Sequence, residues 1–399
     1  MAGPPRNERP YDVVLFGATG FTGGLTADYL AAHGGSDLRW AIAGRNERKL
    51  EEVRRHLADT NPRLADLPIL VADADDTDAL AEVVATTKVV ATTVGPYLQY
   101  GGPLVAACAS AGTDYVDLTG EPEFVDRTYV EHNAAAEGSG ARIVHCCGFD
   151  SIPHDLGAYF TIRELAAEVG GEITAPVTMR GVVRSKASFS GGTFHSALNA
   201  FARARQMKEA SSARRKMEPR PEGRRSRASV GRPTRDQDLG YWLLPLPTID
   251  PFVVARSGAA LSSYGPAFTY SHYAGTKTLR YAAGGAAGVT GLTLASQVPP
   301  LRNALLKRVP QGEGPSESRR EKSWFTVDFV AESGGQKVHT RVSGGDPGYT
   351  ETAKMLAESA LCLAQDENPN VAGQVTTATA MGDALLARLE RAGIRFERC

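Results

Sequence analysis

Near its start the sequence reads GATGFTG, with glycines at Gly17, Gly20 and Gly23. Glycines at that spacing suit one chemistry, the holding of a pyrophosphate. The first permits a tight turn, the second lets backbone N–H groups approach phosphate oxygens, and the third lets a helix pack closely on a sheet. The N-terminus of that helix adds the positive end of its dipole. Gly17, Thr19, Gly20, Phe21, Thr22 and Gly23 are therefore the expected grip on a dinucleotide. An NAD site places an acid about 20 residues further on, for the ribose 2′-OH. Ala43-Gly44-Arg45-Asn46 stands there instead. A guanidinium suits a 2′-phosphate, and Arg48 and Lys49 add positive charge, while Glu47 falls past the strand end. The expectation is NADPH, held by Arg45 and Lys49. Asp73, which ends the third apolar run, either contacts the adenine or caps the next turn.

Further candidates sit where later strands end. In an open α/β sheet, ligands bind outside the carboxyl ends of the strands. Gly95-Pro96-Tyr97, Gly120-Glu121 and Gly148-Phe149-Asp150 occupy such positions. Gly95 and Pro96 are expected to line the nicotinamide side. Tyr97 and Glu121 face the reaction space or else bond to neighbouring loops. Asp150, Ser151 and His154 lie where the sixth strand meets a helix, and a histidine there exchanges protons near neutral pH. Tyr97, Asp150, Ser151 and His154 are thus the catalytic candidates. A plainer reading has Pro153 opening the helix, Asp150 or Ser151 capping it and His154 on the surface of its first turn. The five cysteines show no CxxC spacing, so neither a zinc site nor a disulfide framework is readable, and no metal is expected. Cys146-Cys147 reads as strand-end packing. Tyr273 and Lys277 form a Tyr-x-x-x-Lys pair, but Gly275 interrupts it and chance explains it.

These residues need elements to position them. Apolar runs at Asp12–Phe16, Arg39–Ala43, Pro68–Ala72, Lys88–Val94, Tyr115–Leu118 and Arg142–Cys146 read as strands. Helical spacing falls between them: around Leu25, Tyr29 and Leu30, then Lys49–Leu57, Asp76–Ala85, Pro103–Ala111 and Pro122–Glu137. Alternation of this kind implies a doubly wound parallel sheet. The fold class is α/β, a Rossmann-type N-terminal sheet with a second α+β domain. Residues 1–150 form the nucleotide domain and residues 151–344 the substrate domain. Residues 345–399 supply C-terminal helices that pack back on the first. Helices are expected at Pro153–Ala167, Thr193–Met207, Gly348–Ala364 and Gly382–Ala392, strands at Pro176–Ser190, Ser323–Glu332 and Gln336–Ser343.

Composition narrows the function. The 399 residues include 44 Lys+Arg and 45 Asp+Glu, a net charge of -1, which argues against a nucleic-acid binder. The N-terminus carries no secretory pattern, so a reducing cytoplasm is expected. Arg203–Arg235 carries twelve basic residues against three acidic ones. With Pro219, Pro221, Gly223, Gly231 and Pro233 it reads as an exposed loop able to steer an acidic partner. Tyr281–Val298 has no charge. Its Gly, Ala, Thr and Ser content suits a packed helix, or an acyl-tunnel wall in peripheral contact with a membrane, better than a span.

CGFDSIPHDLG from Cys147 to Gly157, following the GATGFTG domain, resembles the saccharopine dehydrogenase-like oxidoreductases, and most of all their trans-acting enoyl reductase branch. Ser190-Gly191-Gly192-Thr193, the segment Gly312–Ser316 and GDPGYTETAKMLAESALCLA from Gly345 to Ala364 extend the likeness along the chain. The resemblance implies an NADP-type Rossmann domain, an α+β second domain and reduction of an enoyl chain carried by a polyketide synthase; the expected substrate is a polyketide or long acyl chain, which Arg203–Arg235 would steer if it arrives on an acidic carrier protein. Such a reaction needs hydride at the β-carbon, a donor for the enolate oxygen and a proton for the α-carbon, and no metal. The rivals are an NADP-dependent dehydrogenase of an amine or carbonyl and a dinucleotide sensor without turnover.

Overall fold

A computed structural model describes residues 4–187, 198, 202–308 and 314–399. Six strands open the chain: β1 (Tyr11–Phe16), β2 (Trp40–Gly44), β3 (Ile69–Val71), β4 (Thr87–Thr92), β5 (Asp114–Asp117) and β6 (Arg142–Val144). Between and after them run α1 (Phe21–His33), α2 (Glu47–Thr60), α3 (Thr77–Ala85), α4 (Tyr97–Ala111), α5 (Pro122–Ser139) and α6 (Ile152–Glu168). The strands pair in parallel in the order β6-β5-β4-β1-β2-β3, the doubly wound topology. β2 is buried at every position, as expected for a strand covered on both faces.

Local chemistry sets most helix ends. The Asn46 side chain accepts from Lys49 N–H to cap α2, and Asp76 accepts from Asp78 and Ala79 N–H to cap α3. Gly112 and Gly140 stop α4 and α5 in left-handed conformation. Pro103 does not open α4 as the sequence suggested. The helix starts at Tyr97, because the Glu121 carboxylate accepts from Tyr97 and Leu98 N–H. The proline then leaves only the carbonyl of exposed Gln99 without its helical partner.

The second sheet has eight strands: β7 (Val177–Lys186), β8 (Arg225–Ala228), β9 (Thr234–Arg235), β10 (Trp242–Pro245), β11 (Ala267–Thr276), β12 (Trp324–Ser333), β13 (Gln336–Gly344) and β15 (Arg395–Arg398). β7 is central, antiparallel to β12 and parallel to β11. α6 lies against β12 and β13. A Cβ added at Gly157 of that helix would sit 2.4 Å from the Phe329 ring and 2.8 Å from Val342. One hydrophobic core therefore runs from Val13, Ile42 and Val89, through Leu156 and Ile162, to Phe325 and Phe329.

The helix Thr350–Gln365 packs on α1, β1, β4 and β5, with the Tyr29 hydroxyl donating to Glu358 at 2.7 Å. The chain then adds β14 (Gly373–Val375) beside β6, and β15 beside β13. The C-terminal part is thus more than helices, since each sheet takes a strand from it. Both strands are too short to show a periodic pattern.

Two expectations need correction. Arg203–Arg235 is not one loop, because Ala204–Met217 is helical and is followed by β8 and β9. The helix breakers all lie beyond Met217, and Arg214 is buried against Asp126 and Glu218. Strand ends also differ: β4 stops at Thr92 and β6 at Val144. The Ser190–Thr193 motif, Gly312, Glu313 and the start of the Thr193–Met207 segment lie outside the described residues.

Candidate functional site

The glycine turn has the geometry that a pyrophosphate cradle requires. Gly17 takes φ +95° and donates its N–H to Ala43 O at 2.8 Å. Gly20 is the N-cap of α1 and is exposed. A Cβ at Gly23 would lie 2.1 Å from Gly17 O, so only glycine lets the helix begin this close to the turn. Thr19 is exposed and Thr22 is partly exposed, near the free N–H groups of the first turn. Phe21 meets Tyr349 edge-on at 5.0 Å and lies under Arg320 at 5.5 Å. Gly314 abuts the same ring, where a Cβ would lie 2.2 Å away. The described part of the Gly312–Ser316 motif therefore covers the nucleotide turn.

Arg45 and Lys49 are exposed beyond β2, and Arg45 has no ion-pair partner among the described residues. Asp73 accepts from Asp75 N–H at 3.3 Å, which is the capping alternative. Gly95 and Pro96 form a cis peptide beyond the end of β4, with Gly95 exposed. These residues fit a phosphorylated dinucleotide: the cradle is one that a side chain would fill, and beyond β2 stands a cation with no ion-pair partner among the described residues.

Tyr97 does not face open space. Its hydroxyl donates to Thr92 O at 3.1 Å and accepts from Leu118 N–H at 3.1 Å. Burial, with the charge of Asp117, raises its pKa far above the ordinary value. Glu121 caps α4 as described. The alternative in which both bond to neighbouring loops is the one the structure adopts.

Beyond β6 the chain turns back at Gly148. Ser151 is buried as the N-cap of α6, but its hydroxyl makes no cap bond and has no partner. Asp150 is partly exposed. Its carboxyl carbon lies 3.5 Å from where a Gly120 Cβ would stand. Burial first, then the negative charge of Asp250, pushes its pKa up to about 7, against the opposing influence of His154.

His154 is not a surface residue. It is 2% exposed; its Nδ1 stands 2.8 Å from Asp250 Oδ1, but neither ring nitrogen meets hydrogen-bond geometry with a partner among the described residues. Phe149 and His272 pack edge-on against its ring. Asp250 opens the helix Asp250–Ala260, at the positive dipole end. Burial opposes its charge, but the His154 imidazole beside it more than offsets this and holds it below the ordinary carboxylate value. Burial pushes His272 down to about 3, so it is neutral. Asp250 and His272 come from distant elements with no shared motif, and sequence reasoning missed both. His154, Asp250 and His272 offer one ligand atom each within 4.8 Å of one another, a set able to hold a metal ion. Two of these atoms, His154 Nδ1 and Asp250 Oδ1, are the pair that approach to 2.8 Å.

Comparison with known proteins places this geometry. The saccharopine dehydrogenase NADP-binding domain family matches residues 13–144. A candidate trans-acting enoyl reductase of Mycobacterium tuberculosis is 39% identical, with 98% of this chain and 97% of that protein covered. The trans-acting enoyl reductase of Mycobacterium bovis is 37% identical, with 97% of each covered. Among solved structures, saccharopine dehydrogenase (L-Glu forming) from Saccharomyces cerevisiae superimposes with a TM-score of 0.57 at 13% identity, over 98% of this chain and all of that one, a likeness of fold.

Proposed function

The chain belongs to the trans-acting enoyl reductase branch of the saccharopine dehydrogenase-like oxidoreductases, and from that premise we propose that it is an NADPH-dependent reductase of a carbon–carbon double bond in a carrier-bound polyketide or long acyl chain. The observation that carries the reading is the 37% identity with a trans-acting enoyl reductase over an alignment covering 97% of the chain, second sheet included. NADPH, when bound, supplies the hydride for the β-carbon.

The chain's own residues do the rest. Gly17, Thr19, Gly20, Phe21, Thr22 and Gly23 hold the pyrophosphate, Arg45 and Lys49 hold the 2′-phosphate, Asp73 borders the adenine, and Gly95 and Pro96 border the nicotinamide. Asp150 is the proton donor that the geometry supports best, because its raised pKa keeps a carboxylic acid present near neutral pH. His154, its Nδ1 2.8 Å from Asp250 and its buried Nε2 without a hydrogen-bond partner, is the second candidate. Ser151 offers a further hydroxyl. Tyr97 acts by positioning, since its hydroxyl ties β4 to the β5 end.

The test is NADPH oxidation at 340 nm with enoyl thioesters of increasing length, and with keto acids plus ammonium. Turnover of enoyl thioesters alone supports the proposal. Turnover only with keto acid and ammonium would replace it with an amine dehydrogenase, and tight NADPH binding without turnover on either would leave a sensor.

A further inference from the structure

The charge-free stretch noted in the sequence forms a projecting helical hairpin, and the reductase reading gives it no task. Its helices are Leu279–Ser296 and Pro299–Arg308, and the first packs against β10 and β11. At 1.5 Å per residue, the first is about 27 Å long.

Of the nine exposed large hydrophobic side chains among the described residues, five sit here: Leu279, Tyr281, Leu294, Val298 and Leu301, 48% to 71% exposed. Val298 and Leu301 flank the turn between the helices and Leu294 lies just before it, so the tip is apolar. Side chains built at Gly284, Gly288 and Gly291 would meet nothing within 4 Å. Exposed residues at 281, 283, 284, 285, 287 and 288 span about 200° of the helix circumference, about twice the width of a docking stripe. A helix that docks in a protein groove presents one apolar stripe. A fluid lipid interface wraps any side.

Charge selects the surface. From Pro251 to Gly312 the sequence contains no Asp or Glu. Lys277, Arg280 and Lys307 are exposed, with no ion-pair partner among the described residues. No helix among the described residues is long and apolar enough to cross a membrane. We propose that the hairpin Leu279–Arg308 seats the protein on an anionic lipid surface, its apolar tip in the interface and its cations among the headgroups. This holds whether or not the chain reduces enoyl thioesters.

The experiment is co-sedimentation of the full chain with vesicles of phosphatidylcholine alone and with about one-third phosphatidylglycerol. The expected result is binding to the anionic vesicles, weakened by salt. Leu294→Ser, Val298→Ser and Leu301→Ser together should lower partitioning by at least about tenfold. Lys277→Glu, Arg280→Glu and Lys307→Glu should each lower it by about fivefold, all with NADPH affinity unchanged. No binding to anionic vesicles overturns the proposal. So does binding that the tip variants leave intact, or capture of a soluble acidic carrier protein by the hairpin in place of the vesicles.

Discussion

Asp150 is the residue on which the proposed chemistry turns. Its pKa of about 7 lies above that of a free aspartate, so the proton is retained in the fold at pH values where an unfolded chain has lost it. An acid-requiring step should slow as pH rises through about 7. Asp150→Asn should lower kcat by about 10²–10⁴-fold and erase that alkaline limb in a pH–rate profile, with NADPH affinity unchanged. The linkage has a definite sign. A raised carboxyl pKa gives stability that is complete below the unfolded value and is lost as pH rises through the folded one. Denaturation at pH 8 should therefore find Asp150→Asn more stable than the parent, and the difference should fade at pH 4. Little of this environment was legible in the sequence. Asp150 and His154 were marked by their place beyond a strand, but the charge that raises one and aims the other is Asp250, some hundred residues away, with no motif to announce it.

At the scale of elements, the turn between β1 and α1 was readable almost to the atom, because its demands are local. Gly23→Ala places a methyl 2.1 Å from Gly17 O, against backbone that has nowhere to move. NADPH affinity measured by calorimetry should fall by at least about tenfold, the 1.4 kcal/mol equivalent. The helix Ala204–Met217 was misread for the opposite reason. Its twelve-cation neighbourhood looks like a solvated loop until Arg214 meets Asp126, a residue of α5. The start of α4 was missed in the same way, since its cap is Glu121, on the far side of β5.

For the molecule as a whole, the sequence conveyed two sheets but not how the basic segment is spent. Arg224 donates to Leu261 O and Ala259 O, and Arg203 pairs with Glu123, so both serve the fold. Arg215, Arg225 and Arg227 remain exposed on that side. Replacing those three with Gln should raise KM for a carrier-bound substrate several-fold at low salt and leave KM for a free thioester unchanged. Gly157 seats α6 on β12 and β13 of the second sheet. Gly157→Ala overpacks Phe329 and Val342 and should cost about 1–3 kcal/mol, seen by calorimetry as a lower Tm.

That same contact constrains how the molecule can move. α6 carries His154 in its first turn and rests on Phe329 three residues later. Because α6 packs mainly on β12 and β13, any swing of the second sheet relative to the first would carry the His154 imidazole with it on one rigid rod and change its approach to the nucleotide turn.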